Sequence, residues 1–334
     1  MSEPALGLVA IGNALVDVLS HCEESFIESQ KDKGMVKGSM MLIDESRAAE
    51  IYVGLKAPVE MSGGSAGNTI AAFSSLGGKG GYIGKVADDT LGDVFINDLK
   101  SMDVAYNTQK LILGPPTGHC IILVTPDAER TMNTCLGAAT QLTPTDIDRD
   151  MLASAKVTYL EGYLFDQDHA KDAFFHAGNL VEEIGHKLAL TLSDSFCVER
   201  HRDDFLKLIE GHVHILFANE EEITSLFQIS NFDKVIEMVR GKCEIAALTR
   251  GDKGSVIVTK DDVIEVSAEK IEKLEDTTGA GDAYAAGFLF GYTEGMDLAT
   301  CGRIGSIAAA EVISHMGARP EVNLAELINQ KLAA

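Results

Sequence analysis

Short apolar runs alternate with helix-length amphipathic segments from about residue 60 onward, and this alternation restricts the fold more than any other feature of the sequence. The apolar runs have the length and composition of buried parallel strands, and they lie at residues 188–192, 215–217 and 245–248. The segments with helical spacing lie at residues 170–184, 220–227 and 233–240. This alternation predicts a doubly wound α/β fold, in which helices cover both faces of a mostly parallel sheet.

The C-terminal part continues the pattern with a hairpin and a helical region. Residues 255–259 and 263–266 flank a short polar turn and predict an antiparallel hairpin. Residues 279–316 are rich in small residues and predict helices that are broken near residues 295–297. Because we find no internal repeat and no proline-rich linker, we interpret residues 1–334 as one domain.

Two regions do not fit the alternation. They read as short strands without intervening helices, at residues 14–20, 35–43, 111–125 and 131–136. We expect these strands, drawn from about residues 14–43 and 111–136, to form a small β-sheet attached to the main domain. The whole chain would then be a three-layer α/β/α domain with a strand-built lid.

The net charge limits the partners of the chain. Among the 334 residues, 28 Lys and Arg oppose 51 Asp and Glu, which gives a net charge of −23. A broad nucleic-acid-binding surface needs a positive footprint, so we expect no nucleic-acid partner, and anionic membranes would repel the chain. We also expect no membrane span, because no stretch reaches about 18 apolar residues. A small anionic ligand stays open, since local amides and one or two cations can bind it.

The cysteines indicate a reducing environment. They are scattered along the chain without a C-x-x-C pair, at Cys22, Cys120, Cys135, Cys197, Cys243 and Cys301. This distribution fits free thiols better than a disulfide framework or a zinc site. The first residues show no basic segment followed by a long apolar run, so we expect no signal peptide. Both observations favour the cytoplasm.

A glycine-punctuated turn before an apolar helix is the strongest local motif, reading Asp-Thr-Thr-Gly-Ala-Gly-Asp at residues 276–282. Gly279, Ala280 and Gly281 let backbone amides converge at a helix N-terminus, where the helix dipole also favours an anion such as a phosphate. Asp282 would lie in the first helical turn beside that anion, where it can accept a proton from an attacking hydroxyl. We expect the helix dipole to lower the pKa of Asp282.

A simpler interpretation of this motif stays open. A strand-to-helix turn with small residues for close packing, capped by Asp282, needs no ligand. No G-x-x-x-x-G-K-[ST] occurs, and no G-x-G-x-x-G follows the first strand. The sequence therefore argues against a P-loop NTPase and against a dinucleotide-binding dehydrogenase.

A second glycine-rich segment near the N-terminus could hold hydroxyl groups. Gly63 and Gly64 allow the backbone to approach a ligand closely, and Asn68 offers both a donor and an acceptor. Asp17, four residues after Asn13, is expected at the end of the first apolar strand, where ligands bind in open α/β sheets. A carboxylate there can accept two sugar hydroxyls, although the same residues could only cap and close turns.

The two glycine-rich segments, in this order and about 200 residues apart, resemble the two signature regions of the ribokinase (PfkB) carbohydrate kinases. The resemblance covers nearly the whole chain, and it implies a ribokinase-like, Rossmann-type α/β/α domain with a small β-sheet lid. Residues 130–139 and the Ser-Asp-Ser-Phe at residues 193–196 resemble the adenosine-kinase branch of this family.

The resemblance implies roles for individual residues. Asp282 matches the catalytic base, and the anion hole matches Gly279, Ala280 and Gly281. The contacts to the acceptor would be made by Asn13, Asp17, Gly63, Gly64, Asn68 and Arg130. The contacts to ATP and Mg²⁺ would be made by Asn219, Glu222, Thr249, Gly251 and Gly254, with Asn219 and Glu222 acting on Mg²⁺ through water. A monovalent cation such as K⁺ would bind at Asp276 and Thr278.

Local alternatives exist for several of these residues. Asn219 to Glu222 could simply start a helix, with acidic residues complementing its dipole. Residues 249–254 could be a plain turn before a strand. Arg130 could be a solvated loop charge, or a lid arginine that binds a phosphate.

The resemblance therefore implies an ATP-dependent kinase that transfers the γ-phosphoryl group to the 5′-hydroxymethyl group of a ribose-containing substrate, with adenosine as the first choice. The base of a nucleoside needs an apolar slot, for which Tyr163, Phe165 and Phe196 are candidates. Two alternatives stay open. One is a kinase of the same family for ribose, fructose or a keto-deoxy sugar acid, and the other is a non-catalytic ligand-binding protein with this fold. Both a monomer and a homodimer are compatible with the sequence.

Overall fold

A computed structural model describes residues 4–127 and 129–333. Within these ranges the strands, in chain order, are β1 (Leu6–Ile11), β2 (Leu15–His21), β3 (Met40–Leu42), β4 (Val59–Gly63), β5 (Gly80–Ile83), β6 (Ala105–Tyr106), β7 (Gly118–Val124), β8 (Arg130–Cys135), β9 (Ala155–Glu161), β10 (Lys187–Thr191), β11 (Ile215–Asn219), β12 (Ile245–Thr249), β13 (Ser255–Thr259) and β14 (Val263–Val266).

The α-helices of the same ranges are α1 (Glu24–Ser29), α2 (Glu45–Val53), α3 (Ser65–Ser75), α4 (Thr90–Ser101), α5 (Arg149–Ala153), α6 (Asp168–Ile184), α7 (Ser195–Gly211), α8 (Glu220–Phe227), α9 (Phe232–Val239), α10 (Ala280–Thr293), α11 (Leu298–Val312) and α12 (Leu324–Ala333). Short 3₁₀ turns occur at Lys31–Lys33, Gly137–Gln141, Pro144–Asp146, Gly162–Asp166 and Gly251–Lys253.

The main sheet confirms the doubly wound α/β prediction. Its order is β14-β13-β12-β11-β10-β9-β1-β5-β6, and all neighbours from β12 to β6 pair in parallel. The hairpin of β13 and β14 completes one edge in antiparallel register, as the sequence predicts. Successive residues of β1 belong to two different apolar cores, with Leu8 and Ala10 in one and Val9 and Ile11 in the other. The sheet is therefore buried on both faces, which explains its continuous apolar runs.

A smaller sheet forms the predicted lid, in the order β3-β8-β7-β2-β4. Four of its strands come from the two expected regions, but β4 lies outside both of them and was not predicted. The boundaries also differ: β7 starts only at Gly118, and the strand expected from residue 35 is reduced to β3. The expectation of no intervening helices is wrong, because α1 and α2 lie between β2 and β4. These helices are short, and α1 buries only Ile27, so their periodicity is too weak to detect in the sequence.

Helices α10 and α11 form the predicted helical region and break at residues 294–297. They pack closely because glycines face each other across the contact. A Cβ atom on Gly287 would lie 2.8 Å from the Cα and N atoms of Gly305, and a Cβ on Gly305 would lie 2.8 Å from the Tyr284 carbonyl oxygen. Small residues at these positions allow α10, which starts within the glycine motif of residues 276–282, to pack closely on α11.

Two further observations concern membranes and thiols. Among the described residues, no helix is both long enough and apolar enough to cross a bilayer. All six cysteines are free thiols, and four of them are buried. The structure therefore agrees with the expectation that the chain has no disulfide framework.

We predict that Gly287→Ala lowers the free energy of unfolding by about 1–3 kcal/mol, because the added methyl group must push α10 away from α11. The matched control is Gly211→Ala at the end of α7, where a Cβ atom would meet no atom within 4 Å. We expect the control to change the free energy by less than about 1 kcal/mol. Urea denaturation of both variants measures the difference, and equal midpoints would contradict the packing argument.

Candidate active site

The predicted site residues converge where the parallel strands of the main sheet end and two helices begin. Asn13 follows β1, Asn219 ends β11, and Asp282 lies in the first turn of α10. The start of α3 faces the start of α10, since these two helices pack against each other. Ligands of open α/β sheets bind outside the carboxyl ends of the strands, so the convergence falls at the expected edge.

Asp282 is held by the first turn of α3. Its Oδ1 accepts a hydrogen bond from the Ser65 hydroxyl at 2.6 Å, and its Oδ2 accepts one from Asn68 Nδ2 at 3.2 Å. The carboxylate is therefore fixed in one orientation by two side chains from the N-terminal glycine-rich segment. The two sequence motifs thus meet directly in space.

The expectation that the pKa of Asp282 is lowered is wrong. Burial raises the pKa of Asp282 to about 6, and the nearby Asp17 carboxylate adds to the rise, while the hydrogen bonds from Ser65 and Asn68 oppose it. Desolvation of the carboxylate outweighs the favourable helix end. A carboxylate with a pKa near 6 is a stronger proton acceptor than the weak base that the sequence predicts.

Asp17 does not lie at the end of the first apolar strand, as expected, but inside β2 of the lid sheet. Strand β1 ends at Ile11, and the chain then crosses to the lid through Asn13. Burial raises the pKa of Asp17 to about 6, against the charges of Arg319 and Arg130, which lower it. The lid therefore brings its own carboxylate to the cleft.

Gly63 and Gly64 make room for these groups. A Cβ atom on Gly63 would overlap the Asp17 carboxyl group, and one on Gly64 would overlap the carbonyl oxygen of Asn13. Gly64 also has φ of +81° at the N-cap of α3, a conformation that favours glycine. Both glycines are thus required by the close approach of other protein atoms, and their predicted approach to a ligand stays a prediction.

Glu161 is a site residue that the sequence reasoning missed. It ends β9, is 1% exposed, and accepts hydrogen bonds from Asn13 Nδ2 at 2.7 Å and from the Ala66 amide at 2.8 Å. Burial raises its pKa to about 7, against those hydrogen bonds, and the Asp282 charge raises it further. The available signal in the sequence was a carboxylate directly after residues 157–160, which have the β-branched and aromatic composition of a strand.

The predicted anion loop has a left-handed backbone conformation at Gly279, which favours glycine. Gly279 caps α10 with φ of +79°, and a Cβ atom there would lie 2.6 Å from the Ala318 carbonyl oxygen. The Ala280 amide donates to the Thr277 carbonyl oxygen at 3.2 Å. Gly281 is exposed and would tolerate a Cβ atom, so only Gly279 is required by packing.

Asp276, a predicted cation ligand, is bonded to protein donors. Its oxygens accept hydrogen bonds from the Thr278 amide at 2.9 Å and the Gly317 amide at 3.1 Å, and it forms an ion pair with Arg130. Although burial acts to raise its pKa, these hydrogen bonds and the Arg130 charge hold the pKa of Asp276 below its ordinary value. Arg130, a predicted acceptor contact, therefore reaches from the lid strand β8 to the anion loop.

The predicted ATP elements lie side by side. Asn219 and Glu222 form a reciprocal capping box at the start of α8, with Asn219 Oδ1 accepting from the Glu222 amide at 2.8 Å and Glu222 Oε2 from the Asn219 amide at 3.0 Å. Burial raises the pKa of Glu222 to about 7. In the next loop, Arg250 bonds Glu220 at 2.9 Å and lies over the Phe232 ring.

The loop after β12 supplies the other three predicted ATP contacts. Thr249 ends that strand, and Gly251 and Gly254 have φ of +60° and +84°. A Cβ atom on Gly254 would overlap the Val266 carbonyl oxygen, which explains the glycine without a ligand. Among the described residues, no group of three or more His, Cys, Asp and Glu side chains could hold a metal ion by itself.

The three aromatic candidates for a base slot are not brought together. Phe165 is fully buried in the core and stacks on Phe205, with ring centroids 4.3 Å apart. Phe196, in contrast, is 70% exposed at the start of α7. Tyr163 is half-buried, with its hydroxyl 3.4 Å from the Ser193 carbonyl oxygen. Phe165 therefore has no surface for a ligand, because other aromatic rings cover it.

Comparisons with known proteins agree with this fold. A three-layer α/β/α domain with a β-sheet lid, and a carboxylate in the first turn of a glycine-capped helix, are the features of an α/β sugar-kinase class. The description "pfkB family carbohydrate kinase" matches residues 33–324. The chain belongs to this family, and it is accordingly a kinase, a phosphotransferase with an alcohol group as acceptor.

Solved structures and curated relatives cover nearly the whole chain. A probable sugar kinase of Rhizobium etli CFN 42 is 43% identical with a TM-score of 0.89, and covers 99% of this chain and 100% of its own. The adenosine kinase of Sinorhizobium meliloti is 46% identical with a TM-score of 0.88, and covers 98% and 99%. The adenosine kinase of Saccharomyces cerevisiae is 27% identical over 93% of this chain and 95% of its own.

The raised pKa of Glu161 generates a stability prediction. Between its ordinary value of 4.5 and about 7, the folded chain keeps a proton on Glu161 that the unfolded chain releases. The free energy of unfolding therefore falls as the pH rises through this window. We expect Glu161→Gln to reduce that fall by up to about 3 kcal/mol, since a tenfold change in proton affinity is worth about 1.4 kcal/mol.

Urea denaturation at pH 5 and pH 8 measures the change. The matched control is Glu199→Gln, which replaces an exposed carboxyl group on α7 and should leave the pH dependence as it is in the unmodified chain. The same pH dependence in Glu161→Gln and in the unmodified chain would contradict the assignment of the buried proton.

Proposed function

We propose that the chain transfers the γ-phosphoryl group of ATP to the 5′-hydroxymethyl group of a ribose-containing substrate, with adenosine as the first choice. The single observation that carries the proposal is the position of Asp282. Its carboxylate lies at the start of α10, has a pKa of about 6, and is hydrogen-bonded to Asn68 of the N-terminal glycine-rich segment. The similarity to the adenosine kinase of Sinorhizobium meliloti over 98% of the chain supports a nucleoside.

The acceptor would bind between the lid and the ends of the strands. Asp17 on β2, Asn13 after β1 and Asn68 on α3 would hold the sugar hydroxyls, with the backbone at Gly63 and Gly64 close beside them. The hydroxymethyl group would then point to Asp282, which accepts its proton. A loose phosphoryl-transfer transition state needs little early deprotonation, so a base with a pKa near 6 is sufficient.

The phosphates of ATP would bind at the start of α10. The amides of Gly279 and Gly281 and the positive end of the helix dipole would suit the developing negative charge, whereas the predicted contact of the Ala280 amide would replace its hydrogen bond to Thr277. Arg130 forms an ion pair with Asp276, which precedes this loop. It would bind the phosphates when the lid closes and excludes water. The loop with Thr249, Gly251 and Gly254 would contact the same phosphates from the end of β12.

Mg²⁺ fits the start of α8 only through water. Both carboxylate oxygens of Glu222 accept hydrogen bonds from Asn219, so the pair is better suited to orienting water than to direct coordination. Bound there, Mg²⁺ would neutralise charge on the phosphates. We also propose K⁺ at Asp276 and Thr278, and a cytoplasmic location, as the sequence predicts.

One observation favours the sugar-kinase alternative. The three aromatic residues considered for a base slot are dispersed, with Phe165 in the core and Phe196 at the surface. An acceptor without a base would not need them, and a similar structure, from Rhizobium etli, is a probable sugar kinase. Ribose, fructose and a keto-deoxy sugar acid are therefore the second choice.

We predict that Asp282→Asn lowers kcat by at least 10²-fold, since the amide cannot accept the proton, while the Kd for ATP changes less than threefold. Coupled ADP release gives kcat, and calorimetry gives the Kd. Asp203→Asn, which changes an exposed carboxyl group on α7, is the matched control and should retain the activity of the unmodified chain. A kcat near that of the unmodified chain in Asp282→Asn would exclude Asp282 as the base.

A panel of acceptors with ATP and Mg²⁺ tests the substrate. We expect phosphorylation of adenosine at the 5′ position, detected by mass spectrometry, and a lower kcat/KM for ribose, fructose and a keto-deoxy sugar acid. Turnover of a sugar without turnover of a nucleoside would establish the second choice instead. No turnover of any acceptor would favour the non-catalytic alternative. Faster turnover in K⁺ than in an organic cation would support the site at Asp276 and Thr278.

A further inference from the structure

Three consecutive residues after α11 contact both halves of the proposed site. The Gly317 amide donates to Asp276 Oδ2 at 3.1 Å. The backbone of Ala318 packs against Gly279, where a Cβ atom would come within 2.6 Å of its carbonyl oxygen. The Arg319 side chain points to the other half and reaches Asn68. This segment therefore joins the predicted anion loop to the helix that carries the acceptor contacts.

The Arg319 guanidinium is held in one position by three partners. Nη1 donates to Asp98 Oδ2 at 2.8 Å, and Nη2 donates to the Ser62 hydroxyl at 2.6 Å. The Ser62 hydroxyl itself donates to Asp98 Oδ2 at 2.5 Å, so Arg319, Ser62 and Asp98 are all hydrogen-bonded to one another. The remaining donor, Nε, faces Asn68 Oδ1 at 3.4 Å. A planar guanidinium suits this arrangement, because its donors have fixed directions.

The position of Arg319 decides which end of the Asn68 amide faces Asp282. With Asn68 Oδ1 toward the guanidinium, Nδ2 points to Asp282 Oδ2 at 3.2 Å. The reversed amide would place its NH₂ group against the guanidinium and its oxygen against the carboxylate. Both contacts would then be repulsive, so the cation selects one orientation.

We propose that Arg319 is a positioning residue for phosphoryl transfer, because it orients the Asn68 amide so that Asn68 donates a hydrogen bond to the Asp282 carboxylate. The proposal rests on the proposed role of Asp282 as the base. Arg319 also acts on the acceptor side, since its charge opposes the rise in the pKa of Asp17 that burial causes. One side chain thus supports the base and an acceptor contact from a loop that the sequence motifs do not include.

The test compares Arg319→Met and Arg319→Lys with Arg303→Met. Arg303 lies on α11 and pairs with Glu269, so its variant controls for the loss of an arginine ion pair. We expect both Arg319 variants to lose 10- to 100-fold in kcat, since a lysine cannot hold Asp98, Ser62 and Asn68 together. We expect Arg303→Met to retain the activity of the unmodified chain. Circular dichroism and urea denaturation verify the fold of each variant.

A double-mutant cycle separates positioning from general damage. If Arg319 acts through Asn68, the Asn68→Ala/Arg319→Met chain is no slower than Asn68→Ala alone. Independent, multiplying losses would overturn the proposal. A kcat in Arg319→Met near that of the unmodified chain would also overturn it.

Carbon-13 NMR of labelled aspartate carboxyl groups tests the proposal without any activity. Losing the Asn68 hydrogen bond should raise the pKa of Asp282 in both Arg319 variants, and an unchanged titration would overturn the proposal. The other titratable groups that are electrostatically coupled to Asp282 are Asp17, Tyr159, Glu161, Tyr163 and Glu222. Arg319 also lowers the pKa of Asp17, so Asp17 is titrated in the same spectra and its change is separated from that of Asp282. If no acceptor is phosphorylated, the proposed function fails while this titration still decides the role of Arg319.

Discussion

Four buried or half-buried carboxyl groups lie around one cleft, and much of the surrounding structure depends on this constraint. Asp17, Glu161, Glu222 and Asp282 all have raised pKa values, and burial is the largest cause for each. A buried carboxylate costs free energy unless hydrogen bonds or cations offset the lost hydration. The chain supplies these partners from amides, side-chain amides and two arginines, and their positions define the site.

The partners come from elements that are far apart in the chain. Glu161 is bonded by the amide at the start of α3 and by Asn13, and Asp282 is bonded by Ser65 and Asn68 of the same helix. Helix α3 therefore links the end of β9 to the start of α10. The close packing of α10 on α11, through Gly287 and Gly305, sets the depth at which Asp282 meets α3. A small change in helix packing would thus alter the hydrogen bonds of the carboxylate.

The acidic composition is compatible with a polyanionic substrate because the compensation is local. The net charge of −23 describes the whole chain, whereas Arg130 and Arg319 are partly buried at the cleft, with 12% and 17% of their side chains exposed. Arg130 comes from the lid and Arg319 from the loop after α11. Together with the start of α10, they provide positive potential where ATP would bind.

The sequence by itself determined the fold class, the family and the kinase activity. Alternating apolar runs can be buried only in a two-faced parallel sheet, and the motif at residues 276–282 places a carboxylate at a helix start whatever the rest of the chain does. The sequence did not reveal α1 and α2, because short helices with one or two buried residues leave no clear hydrophobic periodicity. The roles of the site residues stay predictions.

Only the tertiary structure decided how these residues act on each other. The sign of the pKa change at Asp282 depends on burial by distant segments, which outweighs the local helix dipole that a sequence can show. Phe165 lies in the core because Phe174 and Phe205 cover it. Glu161 contacts Ala66, 95 residues away in the sequence, and Arg319 contacts Asn68, 251 residues away. Desolvation and side-chain orientation are properties of the folded surroundings, so no local pattern could have specified them.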